Sequence, residues 1–431
     1  MLANRQTLEN KMTTATQLPA ILGGEVAITL DQVEANRWPI ITNQDEQAVL
    51  EVLRSGNLSL HPIVGELEED YKKLTGRNFA LTHNNGTSAI LAGLHAIGIQ
   101  PFDEVIVPSA TWWSSVMPVL HCGGVPVFAE LEPDCLGLDP NDVERKITEK
   151  TKAIVVVHLF GMPSKMDEIV AIANKHNLKI LEDASHAHGA TYKGRPIGSF
   201  GDVSIFSMQG NKLCPSGEGG ILLCDEQEMF ESAIRLGHYE RLLNLESQNK
   251  YFAATGFGFK FRMAPMAAAL AHSQLKSMNE RNERRNKNCE YLSRKLEALG
   301  FETFLSTEDV HRVYFEFLVR YDETKTGLPI NGLAKALQAE GALVAAPRYP
   351  LLHQQPVFTH KVWSKIARLP ATEESPIHLY DPTDLPNTTV GNGSLLKLPS
   401  FPSADTTLLD QYACAFEKVL AHANDIPPTD G

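Results

Sequence analysis

The sequence predicts an α/β fold in which a mostly parallel, seven-stranded sheet lies between helices, with a smaller α+β domain after it. From about residue 45 to about 270, short apolar segments alternate with stretches whose apolar residues recur at spacings of three and four. This alternation is typical of parallel strands joined by helices that cover both faces of a sheet. After residue 270 a long charged helical stretch and a few mixed segments indicate the second domain.

Seven segments have the short, strongly apolar character of buried strands. They are "FALTH" (79–83), "EVIVPS" (104–109), "VPVFAE" (125–130), "AIVVVHLFG" (153–161), "LKILEDA" (178–184), "VSIFSM" (203–208) and "GILLC" (220–224). Helical spacing appears between them in "SAILAGLHAIG", "TWWSSVMPVLHCG" and "KMDEIVAIANKHN".

The domain boundaries follow from these changes in pattern. We expect a loosely held N-terminal arm over residues 1–36, a large domain over 37–272, a small C-terminal domain over 273–425 and a tail over 426–431. Residues 368–394 are rich in Pro, Asp and Gly, which predicts a long loop.

Composition excludes several classes of protein. The 431 residues carry 39 basic and 52 acidic side chains, a formal charge of -13, which argues against a nucleic-acid groove or an anionic membrane surface as the main partner. No apolar run reaches the length of about 18 residues that a membrane span needs. The first residues lack the pattern of a secretory signal. Six widely spaced cysteines without a CxxC pair favour a reduced, cytoplasmic compartment and give no zinc spacing.

The first predicted strand is followed by a candidate phosphate site. Gly86, Thr87 and Ser88 lead directly into a helix. Ligands bind at the carboxyl ends of strands in open α/β sheets, and free N–H groups at a helix start suit a phosphate. The same residues also suit an ordinary helix cap, and their pattern alone does not separate the two interpretations.

Other strand ends carry aromatic and acidic residues. Trp112 and Trp113 follow the second strand, and such a pair either packs in a core or lies flat on an aromatic ligand. Asp183 ends a buried strand, where a carboxylate is costly unless it meets a cation or a strong donor. His186 and His188 follow it, but the sequence supplies no further ligands, so no metal site is expected.

Ser207 and Lys212 are the last candidates among the residues that follow the predicted strands. Ser207 ends a predicted strand, and Lys212 lies five residues later in a loop bounded by Pro215 and "GEGG". A single loop lysine is usually a solvated charge. Together, however, the strand ends offer a phosphate turn, an aromatic plate, a carboxylate and an amine. Pyridoxal phosphate needs these four groups, so we expect it as the cofactor.

The motifs around these residues resemble one family. "NGTSAI", "DEVIVPSAT", "VHLFGMPSKMDEI", "EDASHAHGA", "GSFGDVSIFSM" and "KLCPSGEGG" occur in the order found in the DegT/DnrJ/EryC1/StrS family. Its members are fold type I enzymes that depend on pyridoxal 5'-phosphate and mostly aminate keto sugars and cyclitols. The likeness runs from near residue 37 through the C-terminal helix.

The resemblance implies a role for each matching residue. Lys212 matches the lysine that forms the Schiff base, Asp183 matches the aspartate that pairs with the pyridinium nitrogen, and Trp112 matches the aromatic residue stacked on the ring. Six further residues match those that hold the phosphate or lie beside the cofactor: Gly86, Thr87, Ser88, His186, Ser207 and Gln209. The resemblance also implies a catalytic role for His186.

The chain also departs from the family pattern. Many relatives have an Asn that reaches across a dimer to the partner's phosphate, whereas "GFKFRMAP" places Lys260 there. A lysine at that place resembles the branch of glutamine-dependent scyllo-inosose-type aminotransferases. That branch often carries His before the proline, where this chain has Ala264.

Substrate contacts are expected from two places. The segment 346–358 lies where relatives line the substrate pocket, so Arg348, Tyr349 and His353 are predicted to contact substrate. A purely structural loop remains the alternative for each of them. Trp113 is also predicted to contact substrate.

The predicted function is transfer of an amino group from L-glutamine or L-glutamate to a ketone of a sugar or cyclitol, by a ping-pong mechanism. A homodimer with shared active sites is implied. A dehydratase, aromatase or cyclase similar to the aminohydroxybenzoate synthases is the main alternative, and a non-catalytic regulatory relative is another. No clear basic track for a diphosphate is visible in the sequence, which favours a small acceptor.

Overall fold

The computed structural model describes residues 17–346, 349–369 and 380–427. Numbered in chain order from β1 to β13, the strands in this part are Phe79–His83, Glu104–Pro108, Val125–Ala129, Thr151–Val157, Lys179–Asp183, Thr191–Tyr192, Arg195–Pro196, Val203–Ser207, Gly220–Cys224, Glu302–Thr303, Val310–His311, Phe317–Arg320 and Leu395–Leu398. Numbered likewise from α1 to α15, the α-helices are Asn43–Ser55, Ile63–Thr75, Gly86–Ala96, Met117–His121, Pro140–Lys146, Met166–His176, Gln227–Gly237, Tyr239–Leu242, Pro265–Lys276, Met278–Glu297, Ile330–Ala339, Pro356–Thr359, Val362–Ile366, Pro386–Gly393 and Thr406–Ala421.

Seven strands form the central sheet, in the order β1-β9-β8-β5-β4-β2-β3. β9 is antiparallel to both of its neighbours, and the other adjacent pairs are parallel. The predicted mostly parallel sheet of seven strands is therefore confirmed. Because all strands except β9 run in one sense, their carboxyl ends meet at one edge of the sheet.

Both faces of the sheet are buried. Along β4, Val155 belongs to the apolar core on one face, while Ile154 and Val156 belong to the core on the other face. Alternate residues of a strand point to opposite faces, so a continuous apolar run is what two covering layers of helices require. The sheet is thus the middle of three layers.

One predicted helix is broken. The "TWWSSVMPVLHCG" stretch forms a 3₁₀ turn over Trp113–Ser115 and then the short helix α4. Pro118 is the second residue of α4, a position where the missing N–H of proline costs no helical hydrogen bond. The break leaves both tryptophans of this stretch in a turn at the strand edge.

The smaller domain contains a three-stranded antiparallel sheet, β10-β12-β13. Helices α10, α11 and α15 contribute to its apolar core, and so does the N-terminal segment through Ile28 and Ala35. The buried Glu340 carboxylate accepts hydrogen bonds from the Ala20 and Ala27 N–H groups at 2.7 and 2.8 Å. The described part of the predicted arm is therefore packed rather than loosely held.

Parts of the predicted small domain pack on the large one. Val313 and Phe315 belong to one core of the central sheet, and Phe358 and Trp363 belong to the other. The ribbon β11-β6-β7 holds the first of these segments in place by strand pairing. The periodicity of a segment does not show that it packs on another domain, because periodicity reports only which of its residues are apolar.

The predicted long loop is partly helical. α14 lies within residues 368–394 and begins at Pro386, which suits the first turn of a helix. Residues 370–379 of the same stretch lie outside the described residues. None of the helices in the described ranges combines the length and the apolarity that crossing a membrane requires.

Candidate active site

A cavity of about 1490 Å³ opens at the carboxyl edge of the central sheet. It collects residues from the turns after β1, β2, β5 and β8, as open α/β sheets do at this edge. Most of the residues predicted from the sequence line it: Gly86, Thr87, Ser88, Trp112, Trp113, Asp183, His186, Ser207, Gln209, Lys212 and Tyr349.

The turn before α3 is shaped to receive an anion. Asn85 caps the helix, since its side chain accepts the Ser88 N–H at 2.8 Å. The N–H groups of Gly86 and Thr87 precede that bond at the positive end of the helix. A Cβ on Gly86 would lie 2.8 Å from the Ser207 Cβ, so glycine lets the helix start lie directly against the end of β8.

Asp183 is a buried carboxylate at the end of β5. Its side chain is only 4% exposed. The Ser115 hydroxyl donates to its Oδ2 at 2.7 Å, and the Ser185 N–H donates to its Oδ1 at 3.1 Å. Both donors hold the carboxylate in place while it lines the cavity, where a protonated ring nitrogen would meet it. Ser115 was not predicted as a site residue, although it belongs to the "TWWSS" turn.

His186 is oriented by the backbone and by an aromatic ring. Its Nδ1 accepts the Phe160 N–H at 3.2 Å, which places the proton of a neutral ring on Nε2. The imidazole stacks on Phe315 with a centroid distance of 4.1 Å. The Lys212 Nζ lies 4.4 Å from the centroid of the same Phe315 ring. Phe315 comes from the segment after β11, and its sequence context gave no sign of this role.

The segment around Lys212 is held by Trp38, which lies 174 positions earlier in the chain. The Trp38 indole N–H donates to the Lys212 carbonyl oxygen at 3.0 Å. The Arg285 guanidinium lies 4.2 Å from the centroid of the Trp38 ring. Arg285 is almost fully buried, and burial lowers its pKa to about 10. A buried cation thus packs against the indole that fixes the lysine's backbone.

His188 does not line the cavity. It packs against Phe206 and Tyr71, and burial, with the Lys212 charge adding to it, lowers its pKa to about 3. His188 is therefore a neutral core residue at ordinary pH. Across the described ranges, no group of three or more His, Cys, Asp or Glu side chains is placed to hold a metal ion.

The residues predicted to contact substrate lie in different places. Tyr349 lines the cavity and stacks on Phe160 with a centroid distance of 5.6 Å. His353 lies beneath the cavity wall, 1% exposed, with its Nδ1 2.7 Å from the Ser109 hydroxyl, and burial lowers its pKa. It is held there because the Leu352 N–H bonds to the Ser109 carbonyl, so its side chain does not reach the cavity. Arg348 lies outside the described residues.

Lys260 does not line the cavity of its own chain. Its side chain is exposed, in the segment just before α9. The structure therefore does not bring it together with Lys212 and Asp183 within one chain.

The wall also contains cations that the sequence did not suggest. Lys365, at the end of α13, and Arg368, just after it, line the cavity together with His121 of α4. Their spacing in "KVWSKIAR" resembles an ordinary solvated helix face, so only the packing of α13 on α4 reveals their position.

The protein is similar to known aminotransferases over most of its length. The model of the DegT/DnrJ/EryC1/StrS aminotransferase family matches residues 39–386. The chain belongs to this family. The spore coat polysaccharide biosynthesis protein SpsC of Bacillus subtilis (strain 168) is 32% identical over 392 residues, which are 90% of this chain and 97% of SpsC.

A second relative and a solved structure give the same result. The L-glutamine:scyllo-inosose aminotransferase of Streptomyces griseus is 30% identical over 425 residues, 94% of this chain and 98% of that protein. The aminotransferase from Psychrobacter cryohalolentis superposes with a TM-score of 0.80 at 25% identity, covering 90% of this chain and 99% of that chain. As a member of the DegT/DnrJ/EryC1/StrS family, the protein is a pyridoxal phosphate-dependent aminotransferase of fold type I.

The cavity fits this cofactor. The glycine-lined helix start at Gly86 suits the phosphate, and the buried Asp183 carboxylate suits a protonated pyridine nitrogen. The Lys212 amine lies in the same cavity for the aldehyde carbon. These are the three groups that pyridoxal phosphate needs from a protein.

Replacing Gly86 with Ala should weaken retention of pyridoxal phosphate by about tenfold or more, because the new methyl group would push β8 away from the phosphate turn. The measurement is a titration of the apo-protein with the cofactor, followed by absorbance. Gly65→Ala is the matched control, since a Cβ there meets nothing within 4 Å. Equal cofactor affinity in both variants would contradict the assignment.

Replacing Trp38 with Phe removes the hydrogen bond to the Lys212 carbonyl but keeps a ring for Arg285 to contact. A hydrogen bond of this kind contributes about 1 kcal/mol, so kcat should fall about fivefold while KM stays near its wild-type value. Steady-state kinetics and a melting curve test this. A variant with a lowered melting temperature and an unchanged kcat would show that Trp38 serves only the fold.

Proposed function

We propose that the enzyme transfers an amino group from L-glutamine or L-glutamate to a ketone of a sugar or cyclitol. The observation that carries the proposal is the convergence, in one cavity, of the Lys212 amine, the buried Asp183 carboxylate and the phosphate turn at Gly86. The named activity of the Streptomyces griseus relative supports the donor and the kind of acceptor.

Pyridoxal phosphate, when bound, supplies an aldehyde carbon that links to amines and a ring that withdraws electrons from the bond to be broken. Asp183 keeps the ring nitrogen protonated, and Ser115 keeps that carboxylate in position. Gly86, Thr87, Ser88 and Ser207 would hold the phosphate.

Lys212 moves the proton. In the first stage its Nζ takes the proton from the α-carbon of the donor, and in the second stage it delivers a proton to the former ketone carbon of the acceptor. One product leaves before the second substrate enters, so the kinetics are ping-pong. Phe315 is an apolar surface beside the Lys212 amine and excludes water from it. Trp112 lines the same cavity and would stack on the cofactor ring. His186 and Gln209 lie at the cofactor's side of the cavity, and Tyr349 and Trp113 contact substrate.

Replacing Lys212 with Ala should abolish turnover and the cofactor's long-wavelength absorbance band, since the variant lacks the amine proposed to link to the cofactor's aldehyde and to move the proton. The wild-type holoenzyme mixed with L-glutamine alone should lose that band and release the keto acid in one turnover. A dehydratase or cyclase would leave the band unchanged under the same conditions. Full activity of the Lys212→Ala variant would rule out the mechanism.

We further propose a homodimer in which Lys260 reaches the partner's active site. Large side chains that precede it in the sequence are apolar and solvent-exposed in the single chain: Leu243, Tyr251, Phe252, Phe257 and Phe259. Exposed aromatic and aliphatic side chains of this kind are typical of a subunit interface. We also place the enzyme in the cytoplasm, because all six cysteines are free.

A mixing experiment tests the shared site. The variants Lys212→Ala and Lys260→Ala should each be impaired alone, but a mixed dimer contains one site with both native lysines. Random pairing makes half of the dimers mixed, so refolding the two chains together should restore about a quarter of the wild-type activity. No recovery, with mixed dimers demonstrated by tags of different mass, would show that Lys260 does not serve the partner's active site.

A further inference from the structure

Phe315 brings an aromatic ring of the predicted small domain to the active-site lysine. Its side chain is 8% exposed and lines the cavity, although the residue belongs to the segment after β11. The Lys212 Nζ lies over the ring, 4.4 Å from its centroid. The His186 imidazole stacks on the same ring at 4.1 Å, with 22° between the two planes. Two residues of the candidate active site therefore contact one ring.

A buried arginine fixes the segment that carries this ring. Arg312 is 1% exposed, and its guanidinium donates to the Phe304 and Phe160 carbonyl oxygens at 2.5 and 3.3 Å. The Asn286 side chain of α10 donates to the Arg312 carbonyl oxygen at 2.8 Å. A buried cation is costly unless strong acceptors meet it. These bonds leave the segment little freedom to move.

The segment packs on the turn that also orients His186. The Val313 N–H donates to the Gly161 carbonyl oxygen at 3.1 Å. A Cβ on Gly161, whose φ is 87°, would lie 2.1 Å from the Val313 carbonyl oxygen, so only glycine allows this approach. The preceding residue, Phe160, donates its N–H to the His186 Nδ1 at 3.2 Å. One turn thus sets both the histidine and the ring on which it stacks.

The contact between Lys212 and the ring depends on the charge of the amine. The face of an aromatic ring attracts an ammonium group electrostatically, and the attraction is stronger where water is excluded. A neutral amine gains no such attraction. Lys212 is only partly exposed, and its Nζ lies within the distance of about 6 Å at which these contacts matter. The ring therefore favours the protonated state of this amine.

We propose that Phe315 is a positioning residue whose ring face holds Lys212 while the lysine amine carries the proton. This inference rests on the proposed function for the proton that Lys212 moves. When the amine takes that proton it becomes an ammonium, and the ring stabilises this form inside the cavity. The lysine stem is flexible, so the contact also limits where Nζ can lie. A ring that only filled the core would do neither.

Fluorinated phenylalanines at position 315 separate these two roles. Mono-, di- and trifluorinated rings have progressively weaker negative faces but almost the same shape. In the cofactor-free protein, Lys212 is labelled with acetic anhydride at a fixed, mildly alkaline pH and quantified by mass spectrometry. Only the neutral amine reacts. Labelling should therefore rise stepwise along the series, by about threefold for the trifluorinated ring.

The same series at Phe317 is the matched control. Phe317 lies two residues further along the chain, at the start of β12, and is fully buried without lining the cavity. Fluorination there should leave the labelling of Lys212 unchanged. Phe315→Leu is the simpler variant and should be labelled like the trifluorinated protein. If Phe315→Leu fails to fold, the fluorinated series decides alone, since it keeps the packing of the core.

A second measurement uses the holoenzyme and L-glutamine with deuterium at its α-carbon. Deuterium slows only the step in which this proton moves. With the trifluorinated ring at position 315, the cofactor band should be lost about threefold more slowly. The isotope effect on that rate should increase, because proton transfer then limits the rate more strongly.

Two results would overturn the proposal. One is labelling of Lys212 that fails to rise along the series at position 315, or that rises equally in the control series. The other is an unchanged rate and isotope effect in the trifluorinated holoenzyme, which would make Phe315 a core residue only. Failure of the wild type to react with L-glutamine would instead count against the proposed function and leave the labelling comparison valid.

Discussion

The buried carboxylate of Asp183 is the group around which the active site is arranged. A charge at the end of a strand inside a protein is costly, and two hydrogen bonds from Ser115 and Ser185 offset only part of that cost. A protonated ring nitrogen of the cofactor would supply the missing opposite charge. Binding of such a cation would therefore offset the remaining cost of burying Asp183.

The rest of the cofactor site follows from the geometry of the sheet. β5 and β8 are parallel neighbours, and α3 starts directly against the end of β8 because Gly86 has no side chain. The phosphate turn and the carboxylate are thus set at neighbouring strand ends. Lys212 follows β8 by a short loop, and the Trp38 indole fixes the backbone of that loop. Rigid elements position each reacting group, which is what a precise proton transfer requires.

The second half of the cavity comes from segments that cross over from the other domain. Phe315 contacts both His186 and Lys212, and Tyr349 adjoins Trp112. The α13 segment then adds Lys365 and Arg368 at the outer end. The wall of the cavity thus combines an apolar ring beside Lys212 with two cations from the α13 segment.

The sequence by itself determined the sheet and the strand ends, and it predicted that Lys212 and Asp183 meet at one edge of that sheet, where both line the cavity. It could do so because parallel strands end at one edge, so local patterns separated by many residues converge without further information. Tertiary structure alone decided which other side chains join them. His353 turned inward because the backbone of its segment bonds to Ser109, whereas Phe315 and Lys365 reached the cavity through core packing of residues such as Val313 and Trp363. These placements depend on contacts between segments distant in sequence, and neither periodicity nor spacing reports such contacts.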